Sequence, residues 1–122
     1  MIRKRSPRAA RRLTTHAVDE VAVSSLTVAE LEYGVAKSRF GLVDRERLDE
    51  FLTPLQILAF DDAAAQAYGP IRAGLERGGK LIRPIDMLLA AQAVSLGVIM
   101  VTSNRAEFVR LPGLVVEDWT RP

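Results

Sequence analysis

Apolar residues are arranged along this chain in two ways. Short, mostly apolar runs at residues 21–23, 55–60, 98–101 and 114–116, rich in Val, Ile and Leu and unbroken at 98–101, have the length and composition of buried strands. Between them apolar positions recur at helical spacing. Residues 27–37 place Val28, Leu31 and Val35 on one face, with Gly34 allowing close packing, and residues 43–52 place Val43, Leu48, Phe51 and Leu52 among six charges before Pro54. Asp61 or Asp62 caps an alanine-rich helix that runs to about Arg77 and stops at Gly78-Gly79. Pro84 opens a further helix with Ile85, Leu88, Leu89 and Leu96 on its core face, ended by Gly97. Ahead of all these, Ser6 caps a helix with Pro7 at its first position, predicted to end near His16.

Strands alternating with helices predict an α/β fold, because parallel neighbours need crossover connections and strands buried on both faces read as unbroken apolar runs. One domain over residues 1–122 is expected, since no repeat, low-complexity segment or linker interrupts the pattern. In such a fold, polar groups just past strand C-termini converge on one edge, where ligands bind. Ser24-Ser25 and Thr102-Ser103-Asn104 stand at such positions.

Composition narrows the chemistry. The 122 residues are 48% hydrophobic, enough for a layered core, and contain no cysteine. A disulfide framework, a thiolate metal site and a cysteine nucleophile are therefore excluded. No apolar stretch approaches the roughly 20 residues that span a bilayer, so no membrane association is expected and a cytoplasmic location is. The net charge of +2 conceals a basic head: residues 1–16 hold six cations (Arg3, Lys4, Arg5, Arg8, Arg11, Arg12) and no acid, leaving a body of −4. Such a head suits RNA phosphates, and serves equally as a solvated helix face.

Two acids stand out by position. Glu30 in Thr27-Val28-Ala29-Glu30 and Asp86 in Arg83-Pro84-Ile85-Asp86 are each expected in the first turn of a helix. Each has a local explanation: Thr27 and Glu30 fit a capping box, and Asp86 complements the positive end of a helix dipole. Asn104 can serve as a turn residue and Glu107 as a solvated one. His16 has no visible partner, and Trp119, Phe40 and Phe51 read as core or partner-facing aromatics.

The neighbours of these residues carry a resemblance. Ser-x-Leu-Thr-x-Ala-Glu-Leu-x-Tyr-Gly from Ser24, Pro-x-Asp-x-Leu-x-Ala-Ala from Pro84, Thr-x-Asn-x-x-Glu-Phe from Thr102 and Leu-Pro-Gly-Leu-x-Val-Glu-Asp-Trp from Leu111 occur in the order found in PIN-domain toxins of the VapC type. The similarity extends from about Arg5 to Trp119. It implies a three-layer α/β sandwich with a central parallel sheet, hydrolysis of RNA by water activated by Mg²⁺ or Mn²⁺, and inhibition by a cognate antitoxin, with a homodimer expected. By the same resemblance Glu30 and Asp86 match two metal-binding acids, Asn104 matches a further catalytic position held by Asp or Asn, and Glu107 adds an outer carboxylate. Hard divalent cations prefer such oxygen donors.

The chain departs from that pattern at its start. Family members begin with an apolar strand, in the middle of the sheet, that ends in Asp-Thr-Asn and supplies a principal metal ligand. Residues 1–7 resemble the segment a few residues beyond it. The sequence thus predicts a PIN-like domain without its N-terminal strand, reflecting either an upstream start codon or a truncated toxin. The alternative function is a catalytically inactive module that binds antitoxin or dimerises; an RNA-binding module resting on the basic head alone is a third.

Overall fold

The computed structural model describes residues 21–109 and 111–118. The expected helix at 6–16, the basic head, His16 and Trp119 lie outside the described residues.

Val21 is buried and leads into β1 (Ala22–Ser24), which passes directly into α1 (Ser25–Lys37). The helix begins three residues earlier than its capping-box signature suggests. Ser24 has extended backbone geometry, and its hydroxyl accepts the Leu26 N–H at 3.1 Å, so Ser24 is the cap and Thr27 a buried residue within the helix. Glu30 consequently stands in the second turn, a correction to the expected first-turn placement.

Next come α2 (Gly41–Leu52) and β2 (Gln56–Leu58). Of the apolar residues expected to define one face of α2, Leu48 is buried and Val43 exposed, and Arg45, one turn before Leu48, pairs with Glu32 of α1. Asp61 caps α3 (Asp62–Arg77) by accepting the Ala64 N–H at 3.0 Å. Pro84 opens α4 (Pro84–Leu96), and Gly97, at φ 66°, closes it in the left-handed region that glycine adopts without strain. The chain ends its described course with β3 (Met100–Val101), the short α5 (Arg105–Phe108) and β4 (Val116–Glu117).

All strand pairing is parallel, as the sequence predicts, but among the described residues it forms two separate pairs. Ala22, Val23 and Ser24 register with Gln56, Ile57 and Leu58, while Met100 and Val101 register with Val116 and Glu117.

Helix α4 is the centre of the packing. Met87, Leu89, Ala90, Ala91, Gln92 and Ala93 are all buried, and Met87, Leu89, Ala90 and Ala93 join Leu75 of α3, Met100 of β3, Phe108 of α5 and Leu111 in one cluster. Leu96, expected on the core face, is instead 45% exposed at the end of the helix. Gln92 fastens α4 to the other strand pair, its amide donating to the carbonyls of Leu58 at 3.0 Å and Ala59 at 3.2 Å. One helix therefore holds both pairs of strands. Among the described residues no helix is long and apolar enough to cross a membrane.

Candidate metal centre

Asp86 owes its position to Pro84. Proline fixes the first helical residue, which needs no amide donor there, and Arg83 before it is held extended. The Arg83 carbonyl accepts the N–H of Asp86 at 3.0 Å and of Met87 at 3.1 Å, so Asp86 lies in the first turn, at the positive end of the helix dipole. Its side chain is 1% exposed. Burying a carboxylate so fully requires compensation.

Arg83 provides it. The guanidinium meets the carboxylate with both arms, Nε 3.1 Å from Oδ2 and Nη2 3.2 Å from Oδ1, in the two-point geometry that gives strong charge-assisted bonds. The same Nη2 is 3.8 Å from Oε2 of Glu30. Glu30 and Asp86, 56 positions apart in the sequence, thus share one cation. The Arg83 guanidinium is held above its usual pKa range, first by the hydrogen bond to Asp86 and its charge, against a partial desolvation penalty, with Glu30 and Glu107 adding smaller attractions. Glu107 therefore faces the same cation electrostatically, although its side chain is exposed.

Asn104 precedes α5. Its N–H donates to Thr102 Oγ1 at 3.1 Å, and its exposed side chain makes no capping hydrogen bond to the helix. The loop that carries it is bounded by buried Thr102 and buried Phe108, so Asn104 is anchored on both sides while its amide remains open to solvent. At the other end of the site, Ser25 Oγ accepts the Phe60 N–H at 3.2 Å, fixing the start of α1 to the exit of β2.

Two carboxylates close enough to share a guanidinium form an oxygen-donor set suited to a hard divalent cation. Mg²⁺ commonly uses one or two carboxylates and completes its shell with waters and substrate phosphates, so the residues present fit such an ion. Among the described residues no group of three or more His, Asp or Glu is arranged to hold a metal ion. A groove of about 640 Å³ between α3 and α4, lined by Ala67, Pro70, Ile71, Gly74, Val94 and Pro112 among others, contains neither acid and is a separate feature.

Sequence reasoning found both acids but passed over Arg83. Its signal was a base three residues before an acid across a helix start, spacing that brings side chains together.

A parallel α/β architecture that brings two acids onto one arginine defines the class, an α/β domain with an acidic cluster beside a helix start, and comparison with known proteins specifies it. The PIN-domain family pattern matches residues 2–114, and the chain belongs to the PIN-domain family. It is 39% identical over 101 residues to "Ribonuclease VapC2" of Rickettsia felis, covering 83% of this chain and 75% of that protein. It is 40% identical over 101 residues to "tRNA(fMet)-specific endonuclease VapC" of Shigella flexneri, covering 83% and 76%. Among solved structures, DNA-bound VapBC from Salmonella typhimurium superposes with a TM-score of 0.87 at 35% identity, over 93% of this chain and 86% of that one.

Proposed function

We propose that this protein is a metal-dependent ribonuclease toxin of a toxin–antitoxin pair, acting in the cytoplasm, with Glu30 and Asp86 holding Mg²⁺ or Mn²⁺. The observation that supports this reading is the convergence of Glu30 and Asp86 on one positive charge, Arg83 Nη2. A bound divalent ion supplies a Lewis acid that lowers the pKa of water and offsets charge on a phosphoryl group. The chain's own contribution is placement. Asp86 is fixed by Pro84 and the buried helix behind it, Glu30 is brought up by α1, and the exposed Asn104 offers a neutral amide for hydrogen bonding to the RNA backbone.

An antitoxin is the proposed partner, since the similar structures are VapBC complexes. Tyr33, Phe40, Leu42 and Val43 of α1, α2 and the turn between them are exposed and give an apolar surface of the kind a protein partner covers. A homodimer belongs to the same proposal.

The test is cleavage of structured RNA by the full chain, with initiator tRNA as first substrate because relatives carry that name. Cleavage that requires Mg²⁺, stops with chelator and is lost in Glu30→Gln and Asp86→Asn supports the reading; cleavage that survives both substitutions rejects the site. A second reading, a catalytically inactive module that binds antitoxin or dimerises, is favoured by the lack of a third acid in the group among the described residues. Antitoxin binding with no metal uptake would establish it.

A further inference from the structure

Arg83 differs from an ordinary surface arginine in what it covers. Its side chain is 58% exposed, whereas that of Asp86 beneath it is 1% exposed and has both oxygens engaged by the guanidinium. An ion approaching from the side on which Arg83 is exposed therefore meets Arg83 before Asp86. That guanidinium also reaches Glu30, so the position between the two acids already carries a positive charge. A divalent cation placed there would add two more, within a few ångströms of the first, and like charges at such distances repel strongly where water is scarce.

We propose that Arg83 is a displaceable internal cation that occupies the acid pair and sets its metal affinity: the metal binds only as the guanidinium swings off Asp86 into solvent. The inference rests on the reading of Glu30 and Asp86 as metal ligands. Displacement is feasible because the Arg83 side chain is 58% exposed and its two hydrogen bonds to Asp86 lie at the end of a long, flexible stem. Without Arg83, the buried Asp86 carboxylate would lose the guanidinium that engages both its oxygens, and a metal would be a natural replacement.

The experiment measures Mn²⁺ binding to the full chain from the electron paramagnetic resonance signal of free Mn²⁺, with wild type, Arg83→Gln and the double variant Arg83→Gln/Asp86→Asn. Thermal melts with and without Mg²⁺ on each protein show that the variants are folded. The expected result is an affinity in Arg83→Gln higher by about tenfold or more, the size of effect a neighbouring charge exerts on occupancy. A larger Mg²⁺-induced rise in melting temperature than in wild type should accompany it, and the gain should vanish in the double variant. Equal affinities in wild type and Arg83→Gln, both lost on adding Asp86→Asn, would overturn the role of Arg83 while leaving the metal site intact. No Mn²⁺ uptake by Arg83→Gln, or uptake indifferent to Asp86→Asn, would remove the site and this inference with it.

Discussion

Arg83 and Asp86 are joined through two contacts of nearly equal length, 3.1 and 3.2 Å, between a side chain that is mostly exposed and one that is buried. The third member of the group, Glu30, is 36% exposed and only 3.8 Å from the same guanidinium. The two acids consequently differ in what they contribute to stability, although they are proposed to share one chemical task.

Neutralising Glu30 should separate activity from folding. Glu30→Gln removes a partly solvated ion pair worth under about 1 kcal/mol, so urea unfolding should barely change, while RNA cleavage falls by about 100-fold or more. Asp86→Ala should lose both, with a stability cost of about 1–3 kcal/mol from two charge-assisted bonds. Parallel losses of stability in the two variants would show that the acids act as structure alone.

Ser24 starts the helix that carries Glu30. Ser24→Ala deletes the hydroxyl that accepts the Leu26 N–H and should cost about 1 kcal/mol in chemical denaturation, with Ser24→Gly costing less. If Ser24→Ala leaves stability unchanged, the cap assigned to Ser24 is wrong.

Gln92 is 2% exposed and joins α4 to the last residue of β2 and the one that follows it. Replacing it with Leu keeps the volume but withdraws the donor from two carbonyls, so a loss of about 1–3 kcal/mol is expected. Hydrogen exchange should quicken in β1 and β2 more than in β3 and β4, because the amide ties α4 to the first pair alone.

The pH dependence of the Arg83 pair follows from the sign of its shift. A base whose pKa is raised on folding contributes stability that is fully present below its unfolded value and fades only as pH climbs through the folded one. For an arginine that window lies beyond ordinary conditions, and exposure of the side chain reduces the size of the contribution. The difference in melting temperature between wild type and Arg83→Gln should thus be the same at pH 7 and pH 10; a difference that shrinks by pH 10 would refute a guanidinium cation as its source.

The order of elements is legible in the sequence because apolar runs and helical spacing alternate without ambiguity. Asp61, Pro84 and Gly97 mark helix ends that the structure keeps. The start of α1 is less legible, since Ser24, Ser25 and Thr27 can all cap a helix and the Thr27–Glu30 signature points to the wrong one. The run at 98–101 looks like one strand, yet Val98 and Ile99 are exposed after the turn at Gly97 and only Met100 and Val101 pair. Phe108, fully buried, turns the loop after Asn104 into a short helix that local pattern did not indicate.

Asp86 was legible as a helix-start residue, Glu30 was expected as one and lies a turn further in, and the resemblance gave the two acids a common purpose. Their connection through Arg83 was not, because an arginine near one acid says nothing of a second acid more than fifty residues away until the fold brings α1 and α4 together.

Helix α4 is buried along Met87, Leu89, Ala90, Ala91, Gln92 and Ala93, while α1 keeps an open flank at Tyr33, Ala36 and Lys37. A fluorophore or spin label meant to report on the acids should therefore be attached to that flank of α1. On α4 the probe would have to force its way into the packing and would report its own damage.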